Sequence, residues 1–105
     1  MAEKYVLETE MLNGVYDGTR HRFTVLPVTI GRASENNIAI PFDTAASRAH
    51  ARIISGEVKN TYFILDQNST NGTFVNENFV KDQAVLRAGD IIKIGDTLIK
   101  CITVG

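Results

Sequence analysis

The sequence predicts an all-β domain, a sandwich or barrel of short strands. Three observations carry this expectation. Val, Ile and Thr supply 30 of the 105 residues against six Leu, and β-branched side chains lose rotamer freedom in helices but pack well on a pleated sheet. Turn-forming residues fall at Asn13-Gly14, Asp17-Gly18, Ser55-Gly56, Asn71-Gly72, Ala88-Gly89-Asp90 and Gly95-Asp96, cutting the chain into short segments. The clearest alternation is Ile92-Lys93-Ile94, which places two isoleucines on one face and the lysine on the other.

The candidate strands follow the punctuation. Lys4–Met11 ends before Asn13-Gly14, and His21–Leu26 and Val28–Gly31 come after Asp17-Gly18. Ile38–Ile40 is a short apolar run, and His50–Ser55 and Thr61–Asp66 flank Ser55-Gly56. Thr73–Val75 and Phe79–Val80 follow Asn71-Gly72, and Ile91–Ile94 and Leu98–Thr103 flank Gly95-Asp96. In the last strand an outward Lys100 places Ile99 and Cys101 inward, while Leu98 and Ile102 leave that phase open. One stretch competes with the β reading. Asp43 to Ala51 is alanine-rich and Asp-capped, which suits a helical turn, but it is short and follows Pro41, so its first half reads as loop.

Composition bounds the function classes. Length allows one domain, spanning 1–105, that can bury roughly two thirds of its unfolded surface. Twelve acidic and eleven basic residues give a formal charge of −1, which argues against the basic face that nucleic-acid binding requires. The single Cys101 excludes an intrachain disulfide, and two His with one Cys make no zinc constellation. Glu8 and Glu10 interrupt any signal-peptide core, and no apolar run approaches the roughly 20 residues of a membrane helix. The expectation is a cytoplasmic, reduced protein or excised domain with no metal, no cofactor and no membrane segment.

Three polar clusters stand where strands give way to loops: Gly31-Arg32, Ser47-Arg48-Ala49-His50 and Ser69-Thr70-Asn71-Gly72-Thr73. Each has an ordinary structural reading. The arginine suits a solvated surface, Ser47 its own turn, His50 a satisfied structural site, and Asn71-Gly72 a tight hairpin. Gly31 and Gly72 suit positions needing positive φ or close backbone approach. A late Gly89-Asp90 reads as a structural turn before the final strands.

In type, order and spacing these clusters resemble the forkhead-associated (FHA) domain family, with the match running from about Val28 to Val104. The resemblance implies a β-sandwich of two mostly antiparallel sheets whose loops at one end bind a phosphothreonine peptide. It implies Arg32 and Ser47 on the phosphate, Asn71 on the ligand main chain, and Thr70 and Arg48 as supporting contacts. It further implies that His50 buttresses the loops without touching phosphate. The chemistry of capture agrees: a phosphothreonine carries close to two negative charges, a guanidinium grips two of its oxygens at once, and a hydroxyl with loop amides completes the cradle. Two departures stand out. Asn76-Glu77-Asn78 occupies a position where the family often has Asn-Gly, and Ala45-Ala46 precede Ser47 where a larger aliphatic is common.

The function implied is a non-catalytic, phosphothreonine-dependent adaptor in serine/threonine kinase signalling. Two rivals remain. One is an interaction module that ignores phosphate and docks a partner through a sheet face or edge. The other is a hydrolase with Ser47 as nucleophile, His50 as base and Asp43 or Asp66 behind it, which lacks a nucleophile-elbow motif. Arg20-His21-Arg22 reads as ordinary surface, and Thr9, between Glu8 and Glu10, is a conceivable phosphorylation point on acidic neighbours alone.

Overall fold

The computed structural model describes residues 4–105. Among them the chain forms eleven strands and no helix: β1 (Leu7–Met11), β2 (Arg20–Phe23), β3 (Val28–Gly31), β4 (Ile38–Ala39), β5 (Ala51–Ser55), β6 (Tyr62–Asp66), β7 (Thr73–Val75), β8 (Asn78–Phe79), β9 (Gln83–Val85), β10 (Ile91–Ile94) and β11 (Thr97–Val104). They build two sheets, one of six strands in the order β2-β1-β11-β10-β7-β8 and one of five in the order β4-β3-β5-β6-β9. Every pairing is antiparallel except β3 with β4. The expected sandwich of two mostly antiparallel sheets is therefore the fold.

Alternation decides what lies between the sheets. Val28, Ile30, Ile53 and Ile64 face inward from one sheet, and Leu7, Met11, Ile92, Ile94, Ile99 and Cys101 from the other. Each fully buried Leu or Ile contributes about 1.5–3 kcal/mol relative to exposure. The burial of Ile99 and Cys101 settles the phase of β11, and Lys93 stands on the outer face between two buried isoleucines.

The helical alternative over Asp43 to Ala51 is not realised. That stretch makes turns up to His50, with the Ala45 amide donating to Asp43 Oδ1 at 3.0 Å and the Ala46 amide to the Asp43 carbonyl at 3.1 Å. A short polar residue beside its own backbone offers an alternative to helical bonding. Thr9 lies fully buried on the core face of β1, so a kinase cannot reach it in the folded chain. Arg20 and Arg22 are exposed, as expected, and pair with Glu8 and Glu10 across β1 and β2 at 2.9–3.4 Å.

Register gathers the loops of interest. Ile30 stands opposite Ala51 and Ala51 opposite Asp66, so β3 ends, β5 begins and β6 ends at the same edge of the sandwich. Ile94 opposite Thr73 brings the start of β7 and the β10–β11 turn to that end as well. The opposite end carries the β7–β8 turn, where Asn76 and Glu77 both adopt left-handed backbone, with φ of 49° and 71°.

Candidate functional site

Three connections meet at that end: β3–β4, β4–β5 and β6–β7. β3 delivers Gly31-Arg32 into the first. The Arg32 amide donates to the Ser47 carbonyl at 2.9 Å, the Ala33 amide to the Arg48 carbonyl at 3.1 Å, and the Arg32 Nε to the Ala46 carbonyl at 3.1 Å. These bonds fix the guanidinium on the rim while leaving its terminal amino groups free of any acidic partner among the described residues. Gly31 permits the approach, since a Cβ there would lie 2.2 Å from the Arg48 carbonyl oxygen.

Ser47 joins the second connection to the third. Its hydroxyl oxygen accepts the Thr70 amide at 3.0 Å, and its own amide donates to His50 Nδ1 at 2.9 Å. Because Nδ1 accepts, the His50 proton sits on Nε2, which donates to the Gly72 carbonyl at 2.9 Å. The ring is fully buried. His50 thus ties the serine loop to the Asn-Gly turn through two backbone groups 25 residues apart in sequence (Ser47 to Gly72).

Asn71 and Thr70 are exposed on the third connection. Asn71 Nδ2 donates to the Ala45 carbonyl at 2.9 Å, leaving its oxygen available to a ligand amide. Gly72, with φ of 86°, closes the turn, and a Cβ on it would stand 2.7 Å from a Phe79 ring carbon. Arg48 is exposed, and its carbonyl, which also accepts from Asn36 Nδ2 at 2.8 Å, is the part the fold engages.

Two carboxylates hold this assembly, and sequence reading gave neither that role. Asp66, at the end of β6, accepts the Ser69 amide at 3.0 Å, the Ser69 hydroxyl at 2.5 Å and the Thr73 hydroxyl at 2.7 Å. Burial raises its pKa, but the bonds from Ser69 and Thr73 outweigh this and hold it below the usual 3.8. The Ser69 hydroxyl oxygen in turn accepts the Gly72 amide at 3.0 Å. Asp43, buried in the β4–β5 connection, accepts the Asp96 amide at 2.8 Å and the Thr97 hydroxyl at 2.6 Å. The Asp66-x-x-Ser69 spacing was a readable signal, since a carboxylate commonly accepts from an amide a turn ahead. The reach of Asp43 to Asp96 and Thr97 had none, since those partners lie 53 and 54 residues away.

The same bonds dismantle the hydrolase arrangement. Both His50 nitrogens are taken by backbone groups, Ser47 Oγ bonds the Thr70 amide instead of either of them, and Asp43 and Asp66 serve Thr97, Ser69 and Thr73. A Ser–His–Asp relay needs a free imidazole nitrogen on the serine oxygen. The geometry suits binding: two donors of different reach and one carboxamide surround an open rim.

Known proteins place this architecture. A sequence model described as the FHA domain matches residues 28–95. Over 83 residues the chain is 37% identical to the mouse angiogenic factor with G patch and FHA domains 1, covering 71% of this chain and 12% of that protein. It is 31% identical over 99 residues to the FHA domain-containing protein FhaB of Mycobacterium tuberculosis, covering 94% of this chain and 60% of FhaB. The chain therefore spans less than two thirds of either relative's length. A solved FHA domain studied for its phosphothreonine-dependent interactions superposes with a TM-score of 0.78 at 29% identity, covering 90% of this chain and 93% of that one. With its loops, its sandwich and its ordered motifs all pointing the same way, the chain belongs to the FHA domain family.

Proposed function

We propose that this chain is a phosphothreonine-dependent peptide-binding module that acts as an adaptor in serine/threonine kinase signalling. Arg32 and Ser47 hold the phosphate, Asn71 pairs with the ligand main chain, and Thr70 and Arg48 add supporting contacts. Gly31, His50 and Gly72 give the loops their shape. The observation that supports this best is the cross-bonding of three connections around one open guanidinium: Arg32 to Ala46, Ser47 to Thr70, Asn71 to Ala45. A cradle tied by the chain's own hydrogen bonds lowers the ordering cost of binding. The related FHA domain whose interactions depend on phosphothreonine lends the ligand class. A cytoplasmic setting fits the free, buried Cys101, and among the described residues no helix is long and apolar enough to cross a membrane.

The test is calorimetry with one threonine peptide in phosphorylated and plain forms. Arg32→Ala removes two charge-assisted bonds worth together about 3 kcal/mol. It should weaken the phosphopeptide by roughly 100-fold and, because it also breaks the Nε bond to the Ala46 carbonyl, lower the melting temperature by only about 4–8 °C. Unchanged affinity in the folded variant overturns the assignment. A groove of about 810 Å³ on the outer face of the six-stranded sheet, lined by Phe74, Ile91, Leu98 and Lys93, favours the phosphate-independent reading. Equal affinity for the two peptide forms would select it.

A further inference from the structure

The chain places an Asn-Gly pair, the sequence most open to spontaneous deamidation, at the centre of its candidate binding rim. The fold requires that glycine: its φ is 86°, and a Cβ would meet Phe79 at 2.7 Å. Under the proposed function the ligand requires the asparagine. Neither residue can be exchanged for a safer one, so the chemical hazard has to be controlled by the surroundings.

Deamidation begins when the Gly72 amide nitrogen gives up its proton to hydroxide and attacks Asn71 Cγ. A C–N bond forms, Nδ2 departs as ammonia with an added proton, and a five-membered cyclic imide results. Water then opens either imide carbonyl, giving aspartate or isoaspartate, with no change of oxidation state. The starting nucleophile is the Gly72 amide, and here that group is occupied. It donates to Ser69 Oγ at 3.0 Å, and Ser69 is itself held by Asp66 at 2.5 Å. The Gly72 carbonyl is fixed by His50 Nε2 at 2.9 Å, and the electrophilic carboxamide is held by the Ala45 carbonyl at 2.9 Å. Attack at Cγ requires the Gly72 amide to leave Ser69 Oγ and the carboxamide to leave the Ala45 carbonyl.

We propose that Asn71-Gly72 is a deamidation site held in check by the Ser69 hydroxyl, and that its conversion shuts off the binding rim. The second half rests on the function proposed above. Conversion replaces a neutral carboxamide with a negative charge on the rim that takes the doubly charged phosphate, and it removes the donor to the Ala45 carbonyl. Like charges at such range repel, so the aged protein loses its ligand by chemistry rather than by unfolding.

The chain carries its own reference. Asn13-Gly14 is a second Asn-Gly pair, in the β1–β2 connection, and its carboxamide bonds to Asp96 and Leu98 independently of Asp66 and Ser69. The experiment incubates the purified chain at mildly alkaline pH and maps isoaspartate and the accompanying mass gain at both pairs. Wild type, Ser69→Ala and Ser69→Thr are compared, with the urea-unfolded chain as the unrestrained rate. Residue 71 should convert several-fold more slowly in wild type than in the unfolded chain. Ser69→Ala should accelerate residue 71 alone, and Ser69→Thr, which keeps the hydroxyl, should restore protection. Equal rates in wild type and Ser69→Ala, or a parallel rise at residues 13 and 71, overturn the clamp. The converted fraction, separated by its added charge, is then titrated with the phosphothreonine peptide, and retained affinity overturns the shut-off. If fresh wild type does not bind that peptide, the functional proposal fails while the clamp result stands.

Discussion

Replacing His50 with phenylalanine asks how much of the rim depends on one buried ring. Phe keeps most of the volume but neither hydrogen bond, so the cavity cost of an alanine is avoided. Two groups lose their partners: the buried Gly72 carbonyl and the partly buried Ser47 amide. An orphaned buried polar group costs about 1–3 kcal/mol. Taking about 2 for the carbonyl and about 1 for the amide gives a loss near 3 kcal/mol. At about 4 °C per kcal/mol for a domain of this size, the melting temperature should fall by roughly 12 °C. Affinity should fall less than in Arg32→Ala, because Ser47 keeps Thr70 and Asn71 keeps Ala45. Re-ordering about one backbone residue on binding costs about 1–2 kcal/mol, close to tenfold in affinity. Thermal melts followed by circular dichroism, with phosphopeptide calorimetry, measure both. A His50→Phe variant melting within about 2 °C of wild type refutes the buttress.

Other expectations follow from single observations. Glu77→Gly should stabilise the chain by about 0.5–1 kcal/mol, because a non-glycine residue pays for left-handed backbone while glycine does not. A lower denaturation midpoint in that variant would contradict the turn geometry. The folded-state pKa of Asp66 is depressed, so its stabilisation is present above the unfolded value near 3.9 and is lost as pH falls through the lower folded value. The stability gap between wild type and Asp66→Asn should therefore narrow below about pH 4, and a gap constant from neutral pH to strong acid would exclude the mechanism. Burial, aided by the Asp90 charge, pushes the Cys101 thiol up to about 12. It should resist thiol reagents in the folded chain and react once denatured, whereas rapid labelling of the native chain would show the interior is open.

What the sequence disclosed and what it withheld divide along the range of the interactions involved. Strands defined by local β-branched runs between turn residues were legible, and most boundaries fall within a few residues of expectation. β9 was not: Gln83-Ala84-Val85 has one β-branched residue, and it is a strand because β6 offers it an edge. Arg32, Ser47, Thr70 and Asn71 were legible as polar clusters at strand ends, and the fold brings them to one rim. Their mutual bonds were not, since Ser47 meets Thr70 only after the intervening hairpin forms. Ser47 and His50 share a turn in which the ring accepts the serine amide. Where the family often has Asn-Gly, Asn76 and Glu77 both adopt left-handed backbone, a strain on Glu77 that its side chain gave no sign of.

The Asp43 carboxylate has a consequence for the order in which this molecule comes into being. Its partners Asp96 and Thr97 open the last strand, more than fifty positions downstream. During synthesis, the ribosome releases the arginine and serine of the rim well before the residues that brace their loop. A nascent chain therefore holds Arg32 and Ser47 yet lacks the strut that braces their loop, and it gains that strut only when the final hairpin closes.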